Sequence, residues 1–151
     1  MTRAVTISRD VSLIERAFSG LVLAAALLCA SALGGAAAAP TLREHKEINE
    51  ALAMIAAADM IRLNCDSISP RMFQAYLFAR SLQSKARAEG FSDDEIEAFV
   101  TNKQDKARVK GMAKDYLVSQ GVKDGEPETY CKVGRYEIER NSQIGVMLRA
   151  K

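Results

Sequence analysis

The stretch Thr41–Leu63, TLREHKEINEALAMIAAADMIRL, runs without a glycine or a proline. It is rich in Ala, Leu, Met and Glu, which give up little side-chain freedom in a helix. Ile48, Leu52, Ile55 and Ala58 recur at three- and four-residue spacing, the period of one helix face and not of a strand. Thr41 followed by Glu44 has the form of a capping box, in which each residue satisfies a backbone N–H of the other. The spacing predicts a helix over about 42–64, whose apolar face must be covered by other elements.

The rest of the chain offers helices to cover it. Ser69-Pro70 reads as an N-cap with proline at the first helical position. Met72, Phe73, Tyr76, Leu77 and Leu82 follow at helical spacing, and Gly90 suits a C-terminal stop. Ser92-Asp93-Asp94-Glu95 is a second capping box. Ile96, Phe99, Val100, Ala107, Met112, Tyr116 and Leu117 carry a third helix toward Gly121, with Gly111 as the point where it would kink or split. Pro127 opens a fourth, with Tyr130, Cys131, Gly134 and Ile138 on one face. A short final helix capped at Asn141 or Ser142 is predicted to carry Ile144, Met147 and Leu148 on one stripe. The expected fold is all-α: a small bundle of four main helices plus a short C-terminal helix.

Residues 1–38 read differently. Arg3, Arg9 and Arg16 precede the uncharged run Leu21–Leu33, and a small-residue segment, Gly34 to Ala39, follows. Charged, apolar and small-residue regions in that order have the form of a secretory signal peptide, with cleavage expected after Ala38. An uncleaved anchor over Ala17–Pro40 is the competing reading, but Ala, Gly and Ser dominate that segment and contribute little to insertion. Lipid attachment at Cys29 is a third reading, weakened by the bulky Leu27-Leu28 before it. The expectation is a single helical domain, residues 39–151, periplasmic or secreted, with no stable membrane span after cleavage.

The 151 residues carry 21 basic and 19 acidic side chains, so the balance is nearly neutral. That leaves no electrostatic footprint for nucleic acid. Three Cys and one His are too few for a zinc finger or a cysteine-ligated cluster, and no cofactor is expected. With Cys29 removed, Cys65 and Cys131 remain, and an even pair in an oxidising compartment is expected to form a disulfide. Cys65 ends the first helix and Cys131 begins the fourth, so antiparallel neighbours would bring them together. Closing so long a loop is worth roughly 4 kcal/mol in the chain-entropy model.

Catalytic chemistry is sparse. His45 lies near the start of the first helix beside Glu44 and Glu47, with Asn49 where a second ligand would be needed; it reads as a solvated surface residue. Glu95 with Glu97, and Glu137 with Glu139, are two residues apart and so point to different helix faces. Asp59, set among alanines, is expected to pair with Arg62. Lys103, Lys106, Arg108, Lys110 and Lys114 form a basic run without interleaved aromatics, which reads as a solvated helix face. In Asn141–Leu148 a glycine sits inside an apolar pattern, which signals close backbone approach. Ile144, Met147 and Leu148 there are candidates either for closing the bundle or for docking a partner.

Ile48-Asn49-Glu50, Ala58-Asp59-Met60-Ile61-Arg62, Asn64-Cys65, Ser69 with Arg71-Met72-Phe73, Glu95 to Val100, Tyr130-Cys131 and Ser142-Gln143-Ile144-Gly145 resemble DUF5333. That is a family of small exported alphaproteobacterial proteins of unknown function. The resemblance implies a helical domain with the two cysteines recurring, and it carries over no catalytic residue. The functional expectation is an exported, non-enzymatic helical domain that binds a protein partner. The alternatives are a small hydrolase using carboxylates from two helices, or an acid-stress chaperone.

Overall fold

The computed structural model describes residues 41–151. The segment expected to be a signal peptide, its expected cleavage site and Cys29 lie outside the described residues. Five helices follow in order: α1 (Lys46–Asn64), α2 (Met72–Ala88), α3 (Asp93–Thr101), α4 (Lys103–Ser119) and α5 (Pro127–Glu139). Two short strands, β1 (Ile68–Pro70) and β2 (Leu148–Ala150), complete the domain, with a single 3-10 turn at Gly145–Met147 before β2. The fold is an all-α bundle carrying one two-stranded ribbon, stapled by a Cys65–Cys131 disulfide.

The central helix is α1, which packs chiefly along α4 and α5. Its buried stripe is Asn49, Ala53, Ala57 and Ile61, each four residues from the last. Short alanine side chains let α4 approach closely, so that Ala53, Ala57 and Ala113 share the main core with Leu117. Leu52 and Ile55 fall off this stripe and are only half buried. Gly134 serves the same closeness on α5. A Cβ there would lie 2.5 Å from Ile68 Cδ1 and 2.6 Å from Ile61 Cγ2.

The first helix begins later than its capping box suggests. Glu44 does accept the Thr41 N–H, at 3.1 Å, but Leu42–Glu44 form a turn and His45 is the N-cap, its Nδ1 taking the Ile48 N–H at 3.4 Å. His45 is therefore no solvated surface residue. Its other ring nitrogen meets the Glu89 carboxylate, and its ring stands edge-on to Phe91 with centroids 6.1 Å apart. The third predicted helix does split, at Asn102 and not at Gly111. Asn102 ends α3 and caps α4, accepting the N–H groups of Gln104 and Asp105 at 2.8 and 3.1 Å. The α3 capping box forms as predicted, with Ser92 and Glu95 each satisfying the other's N–H.

Two corrections concern the ribbon. Ser69-Pro70 is not a helix cap; it lies in β1, paired antiparallel with β2 in the register Ile68↔Ala150, Ser69↔Arg149, Pro70↔Leu148. A proline is tolerated there because this is a two-stranded ribbon with a free edge. The tail is likewise no regular helix. After the 3-10 turn it must reach β1, and an extended strand covers more distance per residue than a helix. Arg71 secures the arrangement by donating its N–H to the Met147 carbonyl at 2.7 Å. The disulfide sits at the same end. Cys65 follows α1 directly and Cys131 lies early in α5, with Cα atoms 5.1 Å apart.

Candidate functional site

Of the 17 residues of α2, only Ala86 is buried. The apolar residues that marked it as a helix point largely to solvent: Met72 is 67% exposed, Phe73 69%, Tyr76 57% and Leu77 45%. Side chains that large and that apolar are ordinarily the inward face of a bundle helix. Here α2 is held mainly at its ends. The Arg71–Met147 hydrogen bond fixes one end. At the other, Lys85 pairs with Glu47 and Glu89, Arg87 pairs with Asp93, and His45 meets Glu89.

Between these anchors α2 packs Ala75 and Phe78 partly against the core, and a groove opens beside it. A cavity of about 550 Å³ is floored by Leu52, Ile55 and Ala56 of α1, with Met72 and Ala75 of α2 on one lip and Val109 of α4 on the other. A second cavity of about 290 Å³ adjoins it through a shared wall of Leu52, Phe99 and Val100. Four charged residues also line the larger cavity: Asp59, Arg62, Asp105 and Lys106. Asp59 pairs with Arg62 at 2.5 Å, as its sequence spacing predicts, and both are partly exposed at the groove. Asp105 is buried, bound by Arg43 Nε at 3.0 Å, with Arg108 Nη2 3.6 Å away. Arg108 also donates to Asn49 Oδ1 at 2.5 Å, tying α4 to the start of α1.

A buried polar cluster lies further along α4, around Tyr116, where no motif points. Glu137 is fully buried on α5. Its carboxylate accepts the Tyr116 hydroxyl at 2.7 Å and two bonds from Arg140, at 2.8 and 2.9 Å, and also takes the Ser142 hydroxyl. Ser142 in turn accepts the Gly145 N–H at 3.0 Å. Burial, and then the hydrogen bond to Glu137, push the Tyr116 phenol up to about 12. The same carboxylate raises the Arg140 guanidinium further above its usual range. Every lone-pair direction of Glu137 is spent on these partners, so the cluster fixes the C-terminal turn and has no free acid to offer a substrate. A lone glutamate at helical spacing carries no mark of such burial; the signal was Ser142 five residues on, followed by Gly145.

Ile144, Met147 and Leu148 are 1%, 1% and 2% exposed and belong to the main core. As folded, none of them is available to a partner; the tail closes the bundle. The glycine signal among them was sound: a Cβ on Gly145 would lie 1.9 Å from the Glu137 carbonyl oxygen. Of the paired carboxylates, Glu95 is occupied as a cap, Glu137 is buried and Glu139 is exposed. Among the described residues no three His, Cys, Asp or Glu side chains converge as a metal site would need. No helix there is long and apolar enough to cross a membrane.

No curated protein and no solved structure matches the chain. Residues 40–149 match the model of DUF5333, a family of unknown function, and the chain, with its helical domain and its cysteine staple, belongs to that family.

Proposed function

We propose that this protein is exported and acts outside the cytoplasm as a non-enzymatic binding module, docking a protein partner on the outward face of α2. The observation that carries the reading is the exposure of Phe73 and Leu77, one turn apart, flanked by Met72 and Tyr76. A contiguous apolar patch of this kind on a small domain is an interaction surface or an aggregation liability. Aromatic and methionine side chains are also those enriched at interface centres. Export is supported by the signal-like residues 1–38 and by a disulfide suited to an oxidising compartment.

The test is a pair of charge insertions. Phe73→Glu and Leu77→Glu remove no buried contact, so far-UV circular dichroism and melting should stay within about 0.5 kcal/mol of the parent, as for ordinary surface changes. Site-specific photocrosslinking from position 76 in the native compartment should give a discrete heteromeric adduct that both substitutions abolish. An adduct that persists in both variants, or none at all, would reject this face as the docking surface.

A further inference from the structure

The basic run of α4 does not act as one solvated face. Arg108 turns inward to Asn49 and Asp105, and Lys114 pairs with Asp124. Lys103, Lys106 and Lys110 form no ion pair among the described residues. Their spacing of three and four places them on one stripe, and the middle one, Lys106, lines the larger cavity under α2.

Both acids in that cavity are already matched, Asp59 by Arg62 and Asp105 by Arg43. The wall is otherwise hydrocarbon, with one uncommitted ammonium at the α4 rim and a further lysine one turn to each side of it. Charge complementarity therefore asks for an anion, and the apolar walls ask for a chain of methylenes, each of which gains by leaving water. A neutral ligand would cover Lys106 and strip its water without offering a partner. The cavity volume, about 550 Å³, falls in the range of small-ligand sites, roughly 300–1,000 Å³.

We infer that the groove between α1, α2 and α4 binds a single-chain anionic amphiphile of the fatty-acid type, its carboxylate at Lys106 and its alkyl chain along Leu52, Ile55 and Ala56. This site meets the outward face of α2 at Met72, but neither Phe73 nor Leu77 lines it, so each proposal can fail without the other.

Dodecanoate, held below its micellar concentration, is titrated calorimetrically into the protein recovered from expression of the full chain, with dodecanol as the uncharged control. Dodecanoate should bind saturably at one site per chain. Dodecanol should bind about tenfold or more weakly, and Lys106→Gln should lose a similar factor for dodecanoate alone, as loss of a charge-assisted contact predicts. Lys106 is exposed, so this variant keeps its fold, verified by circular dichroism. Ala75→Trp, which fills the groove, should abolish binding of both ligands; if it does not fold, Lys106→Gln decides. Absence of saturable binding, equal affinity for the alcohol, or full affinity in Lys106→Gln overturns the proposal. So does a sedimentation-detected dimer broken by Ala75→Trp, which would assign the groove to a second copy of the chain.

Discussion

Two glycines separate a required absence of side chain from an incidental one. At Gly145 the missing Cβ would meet backbone, the Glu137 carbonyl, which no rotamer change can move. Gly145→Ala should therefore destabilise by at least about 2 kcal/mol, the scale of forced overpacking, read as a fall in the urea midpoint at unchanged slope. Gly111 lies inside α4 with nothing within 4 Å of its missing Cβ. Gly111→Ala should stabilise by about 0.5–1 kcal/mol through helix propensity; a loss there would mean that α4 needs a softer backbone than its contacts indicate. Tyr116 gives the residue scale its pH dependence. Its phenol is raised to about 12 in the fold, against an unfolded value of about 10. The folded state then holds the proton that the unfolded state releases, so the contribution is complete below pH 10 and is lost as pH rises from 10 to 12. Alkaline unfolding should show this loss, and Tyr116→Phe should remove that part of the dependence. A spectrophotometric titration in which all four tyrosines ionise together near 10 in the folded protein would contradict the buried Tyr116–Glu137 contact.

Elements with local punctuation were legible in the sequence, and elements made by distant pairing were not. Ser92 to Glu95 forms its predicted box because both partners lie within one turn. Asn102 carries the same kind of local signal, a side chain that caps α4, whereas a glycine such as Gly111 permits a break without requiring one. Ser69-Pro70 misled for a physical reason: serine before proline opens helices, but the β1–β2 pairing links positions 68–70 to 148–150, and no local feature encodes a partner so far along the chain. Along α1 the predicted stripe is half right: Ile48 and Ala58 are buried, while Ala53 and Ala57, not the larger Leu52 and Ile55, fill the main core. That difference hides the groove: Leu52 and Ile55 pack only partly against the core and also line a cavity. The α2 face was likewise legible as apolar, while its exposure depends on what packs over it. The cysteine pair was legible because it joins two helix ends. Cys65→Ser or Cys131→Ser should each cost about 2–5 kcal/mol, as for other small stapled domains, measured by thermal unfolding without reductant. Unchanged melting in both single variants would mean that α1 and α5 hold together without the bridge.

At the scale of the whole molecule, the staple and the proposed route of the chain constrain one another. The core of the described domain combines five alanines with a modest set of larger side chains, Ile61, Leu117, Ile144, Met147 and Leu148 foremost among them. A domain of about a hundred residues buries a smaller share of its surface than a larger one, and α2 adds little, since one residue of it is buried. Such a domain leans on a covalent link, and the link forms only where thiols are oxidised. Cys65 is 1% exposed in the folded state, so the pair is expected to close after the chain has left the reducing cytosol and as α1 docks on α5. On the proposed route, export and folding are coupled. The native protein should begin within a residue or two of Ala39 by N-terminal sequencing, and neither cysteine should react with iodoacetamide under denaturing conditions until a reductant is added. A version lacking residues 1–38, retained in the cytosol, should show both thiols alkylated and a melting temperature lowered by the same margin as Cys65→Ser. A native protein that starts at Met1, with Cys65 and Cys131 both free and an undiminished melting temperature, would break both halves of the argument at once.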